Sequence, residues 1–421
     1  MKRIQLVTCA LVCVVCLAAP VMAAEYDNDT KEMPRYAILA AKIVTCAGDP
    51  IDHGVILVSE GKIEAVGAQK DIEIPEGYEV QDYSKMFIMP GLVETHSHLG
   101  SEMSDINDGV YPVNPGMRVM DHIRPNNIAL QKGIMSGVTT ICHIPGSGNN
   151  MAGIGVVMKC SPGAPDDVIL KFPGVLKMAQ AGNPERRSSG ELGSGRAGMN
   201  WTLRETLRQG QEYAKKWADF NEGRTTEKPE VELRLEYMRA AFEGTITCVI
   251  HSQQYQVTMA TLMMIHDEFS LKGAVHHGTF DSYRMGEEFA KRDFPAVLGP
   301  RNVCVDAISG QVVGVLAGYY ERGARYLIPT TDAGVLPEEE LNLQAVYGVR
   351  YGWPEDSGLM GLTIKAAEYL MIDDRVGSLE VGKDADIVVK NGPVIDPCSA
   401  VVKVFIDGKI VYDAAKDRRI F

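Results

Sequence analysis

Between about Pro90 and Leu370 the sequence alternates short apolar runs with amphipathic stretches, and this alternation leaves few folds open to the chain. β-Forming runs separated by helix-length segments mark βα units that feed a parallel sheet. The runs are GLVETHSH, VTTICHI, TCVIHS, GAVHHG, PAVLGP and RYLIPTTD. Amphipathic segments fall at 201–220 and 231–242, and a helix is expected from Glu338 to about Tyr351, after the last run. A middle of about 280 residues suits an eight-unit barrel with insertions. The stretch 182–200, rich in Gly, Ser and Arg, is expected as a long surface loop on it.

The two ends of the chain read differently. Residues 36–68 give strand, turn, strand, in AILAAKIVTC, GVILVSE and KIEAVGA, with Glu60-Gly61 where a tight hairpin turn falls. ADIVVKN and VVKVFIDGKIVYD repeat the style, the second turning at Asp407-Gly408. Two β-rich ends around a long middle predict one small β-sandwich assembled from both. The expected division is therefore a signal segment at 1–24, sandwich at 25–89 and 373–421, and barrel at 90–372, an α/β protein with a (β/α)8 TIM barrel.

The first segment has the pattern of a secretory signal. Lys2 and Arg3 precede an apolar run at 4–19, and Val21-Met22-Ala23 fits the small-residue cleavage rule, with cleavage after Ala23 or Ala24. The run is short and ends at Pro20, whereas a spanning helix needs roughly 20 residues. The mature protein is thus expected to be exported, periplasmic or secreted, and free of the membrane. Three of the nine cysteines leave with this segment. The remaining six form no CxxC pair and mostly sit in apolar runs, so they read as small buried hydrophobes and not as disulfides or a zinc knuckle. With 55 acidic against 42 basic residues, the chain lacks the basic excess that nucleic acid or an anionic membrane demands. A small molecule is the expected partner, and a homo-oligomer is allowed for.

His96 and His98 follow Met89-Pro90-Gly91-Leu92-Val93-Glu94-Thr95. Residues two apart on a strand share a face, so both imidazoles would point into the mouth of a barrel, where such folds assemble their sites. His251, His277 and Asp332 close three further apolar runs. His277 follows His251 by 26 residues, about one βα unit, and Asp332 follows His277 by 55, about two. The five would then fall on strands one, five, six and eight. A lone histidine after an apolar run is usually a hydrogen-bonded core residue; five in this order read as metal ligands.

MPGLVETHSHLG, GVTTICHIPGSGNNMAGIGVVMK, VIHS, HHGT, TTDAG and VGSLEVGKDADIVV together resemble the amidohydrolase superfamily, in particular its imidazolonepropionase-like branch. The resemblance covers nearly all of the mature chain. It implies a metal-bearing (β/α)8 barrel and a sandwich from both chain ends. It also implies that His96, His98, His251, His277 and Asp332 are the ligands. His277 is preferred to its neighbour His276 because the family's histidine precedes Gly-Thr, as in His277-Gly278-Thr279. Close relatives often carry His-x-His at strand five, where this chain has His251-Ser252-Gln253, and this departure bears on substrate identity. Some members bridge two metals with a carbamylated lysine, and Lys159, ending the run 155–158, is the candidate, set against an ordinary strand-end lysine.

Imidazole and carboxylate ligands suit zinc, with manganese, iron or nickel also able to bind, as one ion or two. Such a metal would activate water, and Asp332 would take its proton and return it to a leaving nitrogen. The expected reaction is hydrolysis of a C–N bond in a small amide, dipeptide or cyclic amide. The Gly-rich PGSGNNMAGIG after Ile144 is weighed as a nest for a substrate carboxylate or oxyanion against plain loop packing. His53, His122, His143 and His266 receive no role. The competing class is a binding or assembly protein that keeps the barrel without turnover. A serine hydrolase lacks its GxSxG elbow.

Overall fold

A computed structural model describes residues 33–109, 111–180, 183–186 and 195–417. The expected signal segment lies outside them, as do 182 and 187–194 of the expected loop. Strands β1 (Tyr36–Ile43), β2 (Ile51–Ser59), β3 (Lys62–Ala68) and β4 (Glu79–Pro90) lead into barrel strands β5 (Leu92–Ser97), β6 (Val138–His143), β7 (Met151–Lys159), β8 (Ile169–Ala179), β9 (Thr247–Ser252), β10 (Gly273–His277) and β11 (Ala296–Leu298). A short hairpin of β12 (Val303–Val305) and β13 (Val312–Gly314) precedes the last barrel strand, β14 (Leu327–Pro329). Strands β15 (Ile387–Lys390), β16 (Val401–Ile406) and β17 (Lys409–Asp413) follow.

The small domain expected as a sandwich is one seven-stranded sheet, ordered β17-β16-β15-β4-β1-β2-β3, to which both chain ends contribute. Its seam is the antiparallel pairing of β15 with β4. Alternation sorts the side chains of β15: Ile387 and Val389 join the sheet's own core with Ile38 and Ile56, while Val388 turns the other way into the barrel's outer core. Both predicted turns carry consecutive left-handed residues, Glu60 and Gly61 at φ 51° and 77°, Asp407 and Gly408 at φ 47° and 69°. This is the pairing a type I′ hairpin requires.

The barrel sheet is ordered β5-β6-β7-β8-β9-β10-β11-β14. It closes where Ala333, just past β14, accepts from the His98 N–H at 2.9 Å and donates to the His96 carbonyl at 3.0 Å. All neighbours are parallel except that β7 runs antiparallel to both β6 and β8. The reversal has a simple cause. The connections 144–150 and 160–168 are shorter than the dozen or so residues that a parallel crossover needs, so the chain turns back on itself twice.

Each barrel strand sends one residue into a common apolar floor: Val93, Cys142, Val157, Val175, Val249, Ala274, Val297 and Ile328, all fully buried. The helix Ile364–Leu370 packs Ala366, Ala367, Tyr369 and Leu370 against the same floor. Burying such a valine or isoleucine contributes about 1.5–3 kcal/mol, so the floor helps hold the eight strands together. Elsewhere the helix Arg196–Asn221 starts ahead of the predicted 201–220. The segment 231–242 is helical only over Met238–Phe242. The helix Leu341–Arg350 is preceded by a 3-10 turn, Glu338–Glu340. Among the described residues no helix is long and apolar enough to cross a membrane.

Candidate metal centre

Two residues beyond the floor, alternation brings the next inward side chains of β8, β9 and β10 into line, and these are Lys177, His251 and His276. His96 and His98 from β5 and its end join them, and His277 and Asp332 enter from the ends of β10 and β14. Both His277 (φ 76°) and Asp332 (φ 51°) sit in the left-handed region. That conformation costs of order 1–3 kcal/mol for a residue with a side chain and persists only where the surroundings hold it.

Asp332 Oδ1 lies 3.3 Å from His96 Nε2 and 3.5 Å from His98 Nε2, and its Oδ2 lies 3.8 Å from His277 Nδ1. Ligand-type atoms of His96, His98 and Asp332 fall within 4.8 Å of one another. The hydrogen bonds on the far sides of the rings show which nitrogens are bare. His98 Nδ1 donates to the Ile144 carbonyl at 2.9 Å, which leaves Nε2 as a lone pair toward Asp332. His277 Nδ1 donates to the Gly299 carbonyl at 3.0 Å, and its Nε2 has no protein partner. His251, edge-on to His277 with ring centroids 4.3 Å apart, has neither nitrogen bonded.

Burial pushes His96 and His251 well below the ordinary imidazole range, with neighbouring imidazoles and Lys177 adding to it. Burial lowers His277 too, against the opposing pull of Asp332. For Asp332 burial raises the carboxyl, but His277, His98 and Lys177 outweigh it and hold the group below the usual range. Neutral imidazoles around an ionised carboxylate are the protonation states that metal coordination needs. Buried polar atoms without partners are otherwise costly. The bare nitrogens of His251 and His277, beside an anionic Asp332, thus fit a divalent cation.

Glu94 braces the arrangement. Its buried carboxylate accepts the His96 N–H at 2.9 Å, the Thr330 hydroxyl at 2.6 Å, and both the N–H (2.9 Å) and hydroxyl (2.7 Å) of Thr331. The first and last barrel strands are thereby pinned, and with them His96 and Asp332, whose own N–H donates to Thr330 Oγ1 at 3.0 Å. Burial pushes Glu94 up to about 7 against these donors.

Lys159 is elsewhere. Because β7 is reversed, its last residue lies at the barrel end opposite the mouth, where Nζ pairs with Asp386 at 2.8 Å, Asp384 at 3.0 Å and Asp407 at 3.2 Å. Burial lowers this lysine, but the three carboxylates outweigh it and keep it charged. The lysine in the cluster is Lys177 on β8, the fourth strand, with Nζ 3.3 Å from His96 Nε2. Burial brings it down to about 7. Its signal in the sequence is a lone lysine at an inward position of GVLKMA. In the Gly-rich loop Gly146 N–H donates to Ile106 O at 2.7 Å and Gly148 N–H to Asn107 Oδ1 at 2.7 Å, so of the two readings weighed for it these donors serve loop packing. The six cysteines 46, 142, 160, 248, 304 and 398 are free thiols, the first four buried.

Imidazoles and a carboxylate thus converge at the mouth of an eight-stranded barrel, a donor set that a divalent cation fits. The Amidohydrolase family model matches residues 87–411, and the chain belongs to that family. An amidohydrolase from Thermotoga maritima is similar at 30% identity and TM-score 0.80, over 90% of this chain and all of that one. A Xaa-Pro dipeptidase with bound methionine matches in fold, at TM-score 0.54 and 15% identity, over 90% of this chain and 100% of the other. Amidohydrolase tasK of Hapsidospora irregularis is 25% identical over 401 residues, which is 86% of this chain. The chain spans only 40% of that relative's length.

Proposed function

We propose that the protein is a metal-dependent hydrolase that cleaves the C–N bond of a small amide, dipeptide or cyclic amide. The observation that carries this reading is the convergence on Asp332 of His96 and His98 together with His251 and His277, whose inward nitrogens have no protein partner. His96, His98, His251 and His277 would hold the cation with Asp332, and zinc suits the donors. A divalent cation there supplies Lewis acidity, lowering the pKa of water toward about 7 and polarising the scissile carbonyl. Asp332, beside the cation, would accept the proton of the attacking water and return it to the leaving nitrogen. Glu94 holds His96 and Asp332 in register for this.

Lys177 takes the place that the sequence offered to Lys159. Its uncharged amine would add to carbon dioxide, forming an N–C bond and losing one proton, and the new carboxylate, beside His96, would offer an oxygen ligand to a second ion. We extend the proposal to an exported protein acting on a small molecule, on the strength of the residues at 1–24 and the acidic excess of the chain.

The test is elemental analysis of the purified protein after dialysis, beside a His96→Ala/His98→Ala variant, with hydrolysis of dipeptides, N-acyl amino acids and cyclic amides followed in parallel. One or two equivalents of metal, lost in the variant together with turnover, is the expected result. A protein that takes up neither zinc nor manganese overturns the hydrolase reading in favour of a binding protein. Bicarbonate raising the metal count from one toward two in wild type, but not in Lys177→Met, is the result expected for the carbamate.

A further inference from the structure

His276 was passed over in favour of its neighbour, yet it is buried inside the barrel in contact with His96. The two rings meet nitrogen to nitrogen, His96 Nδ1 to His276 Nδ1 at 2.8 Å, with centroids 4.9 Å apart. The other nitrogen of His276, Nε2, lies 2.9 Å from the Tyr369 hydroxyl, which donates to the Cys248 carbonyl at 3.0 Å. A carbonyl only accepts, so the tyrosine proton goes to Cys248. The tyrosine oxygen then accepts from His276 Nε2–H. This leaves His276 Nδ1 as an acceptor, and it takes the Nδ1–H of His96. His96 Nε2 consequently carries no proton, and it faces Asp332 Oδ1 and Lys177 Nζ, each at 3.3 Å.

We infer that His276 and Tyr369 are positioning residues which fix the tautomer and ring orientation of the ligand His96 from the floor of the barrel. The anchor is remote from the mouth: Tyr369 belongs to the helix Ile364–Leu370, packed under the apolar floor, and Cys248 lies near the start of β9. Metal-binding histidines commonly give their second N–H to a carboxylate or backbone carbonyl, and losing such a partner lowers metal affinity by about 10–100-fold. Here a neutral imidazole fills that role and passes the constraint to a backbone carbonyl through a phenol. All three side chains are buried, so solvent does not compete for the chain of bonds.

The inference rests on the metal-centre reading, and the experiment separates the two. Zinc affinity is measured by competition with a chromophoric chelator for wild type, Tyr369→Phe, His276→Leu and His276→Asn, and the visible spectrum of each cobalt-loaded protein is recorded. Asparagine places an oxygen acceptor where Nδ1 stands, whereas leucine offers none. The expected result is a loss of about 10–100-fold in His276→Leu, a smaller loss in Tyr369→Phe, near recovery in His276→Asn, and a shifted cobalt band wherever affinity falls. Wild-type binding with all three variants unchanged in affinity and spectrum overturns this inference alone. Equal losses in His276→Asn and His276→Leu also overturn it, because they assign His276 to packing. Absence of zinc binding by wild type sinks the metal-centre reading itself.

Discussion

A carboxyl group buried beside a single serine is comfortable in one protonation state only. Glu338 accepts the Ser97 hydroxyl at 2.9 Å on one oxygen, while the other oxygen has no protein partner. Burial, with Glu94 adding to it, pushes this carboxyl up to about 8. Between the ordinary glutamate range and about 8 the folded protein keeps a proton that the unfolded chain releases, so stability falls as pH rises through that window. Each unit corresponds to about 1.4 kcal/mol. The other buried groups, Glu94 and the histidines included, contribute alike to both proteins, so between pH 5 and pH 8 the urea midpoint of Glu338→Gln is expected to gain on that of wild type. His251 makes a second residue-scale prediction. With no hydrogen bond to lose, His251→Leu melts no lower than wild type in the presence of a chelator, but the rise in Tm on adding zinc shrinks. A chelated variant that melts far below wild type would place His251 among the ordinary core histidines.

At the scale of elements, the ends of β10, β11 and β14 must lie close enough to share partners. Gly299, at φ 147°, offers its carbonyl to His277, and a Cβ built there would stand 1.9 Å from the Thr330 carbonyl oxygen. Gly299→Ala forces the end of β11 away from β14 and removes the acceptor that orients His277. A chelator competition is expected to show lower zinc affinity, with the far-ultraviolet spectrum retained. The strand ends that carry His96, His98, His251, His277 and Asp332 were readable because each polar residue interrupts an apolar run at a spacing fixed by the βα repeat. The reversal of β7 was not readable from periodicity, since an inward residue alternates with an outward one whichever way the strand runs. Lys159 and Lys177 illustrate the difference. Both follow a floor residue by two positions, Val157 and Val175, and only chain direction sends one to the mouth and the other to the opposite end. His276 and Tyr369 escaped for another reason: their partnership spans 93 residues and has no local pattern.

For the whole molecule, the cluster around Lys159 joins the barrel to the end sheet. Lys159 comes from β7, Asp384 and Asp386 precede β15, and Asp407 is in the turn between β16 and β17; Lys62 and Arg375 also pair with Asp384. Removing one partner of a buried ionic group costs about 3–5 kcal/mol, because the charges left behind remain buried. Lys159→Met is therefore expected to lower the denaturant midpoint strongly while leaving bound metal per folded molecule unchanged. A loss of metal without loss of stability would return Lys159 to the catalytic end. The seam between β4 and β15 has a further consequence, for the timing of folding. During synthesis the edge of β4 emerges with no neighbour on that side until nearly three hundred more residues have been made, and an unpaired edge invites association with other chains. Sheets closed by such distant pairings form slowly. A nascent chain of this protein must keep that edge covered or occupied until its last strands arrive, which makes chaperone dependence and sensitivity to C-terminal truncation properties of the topology itself.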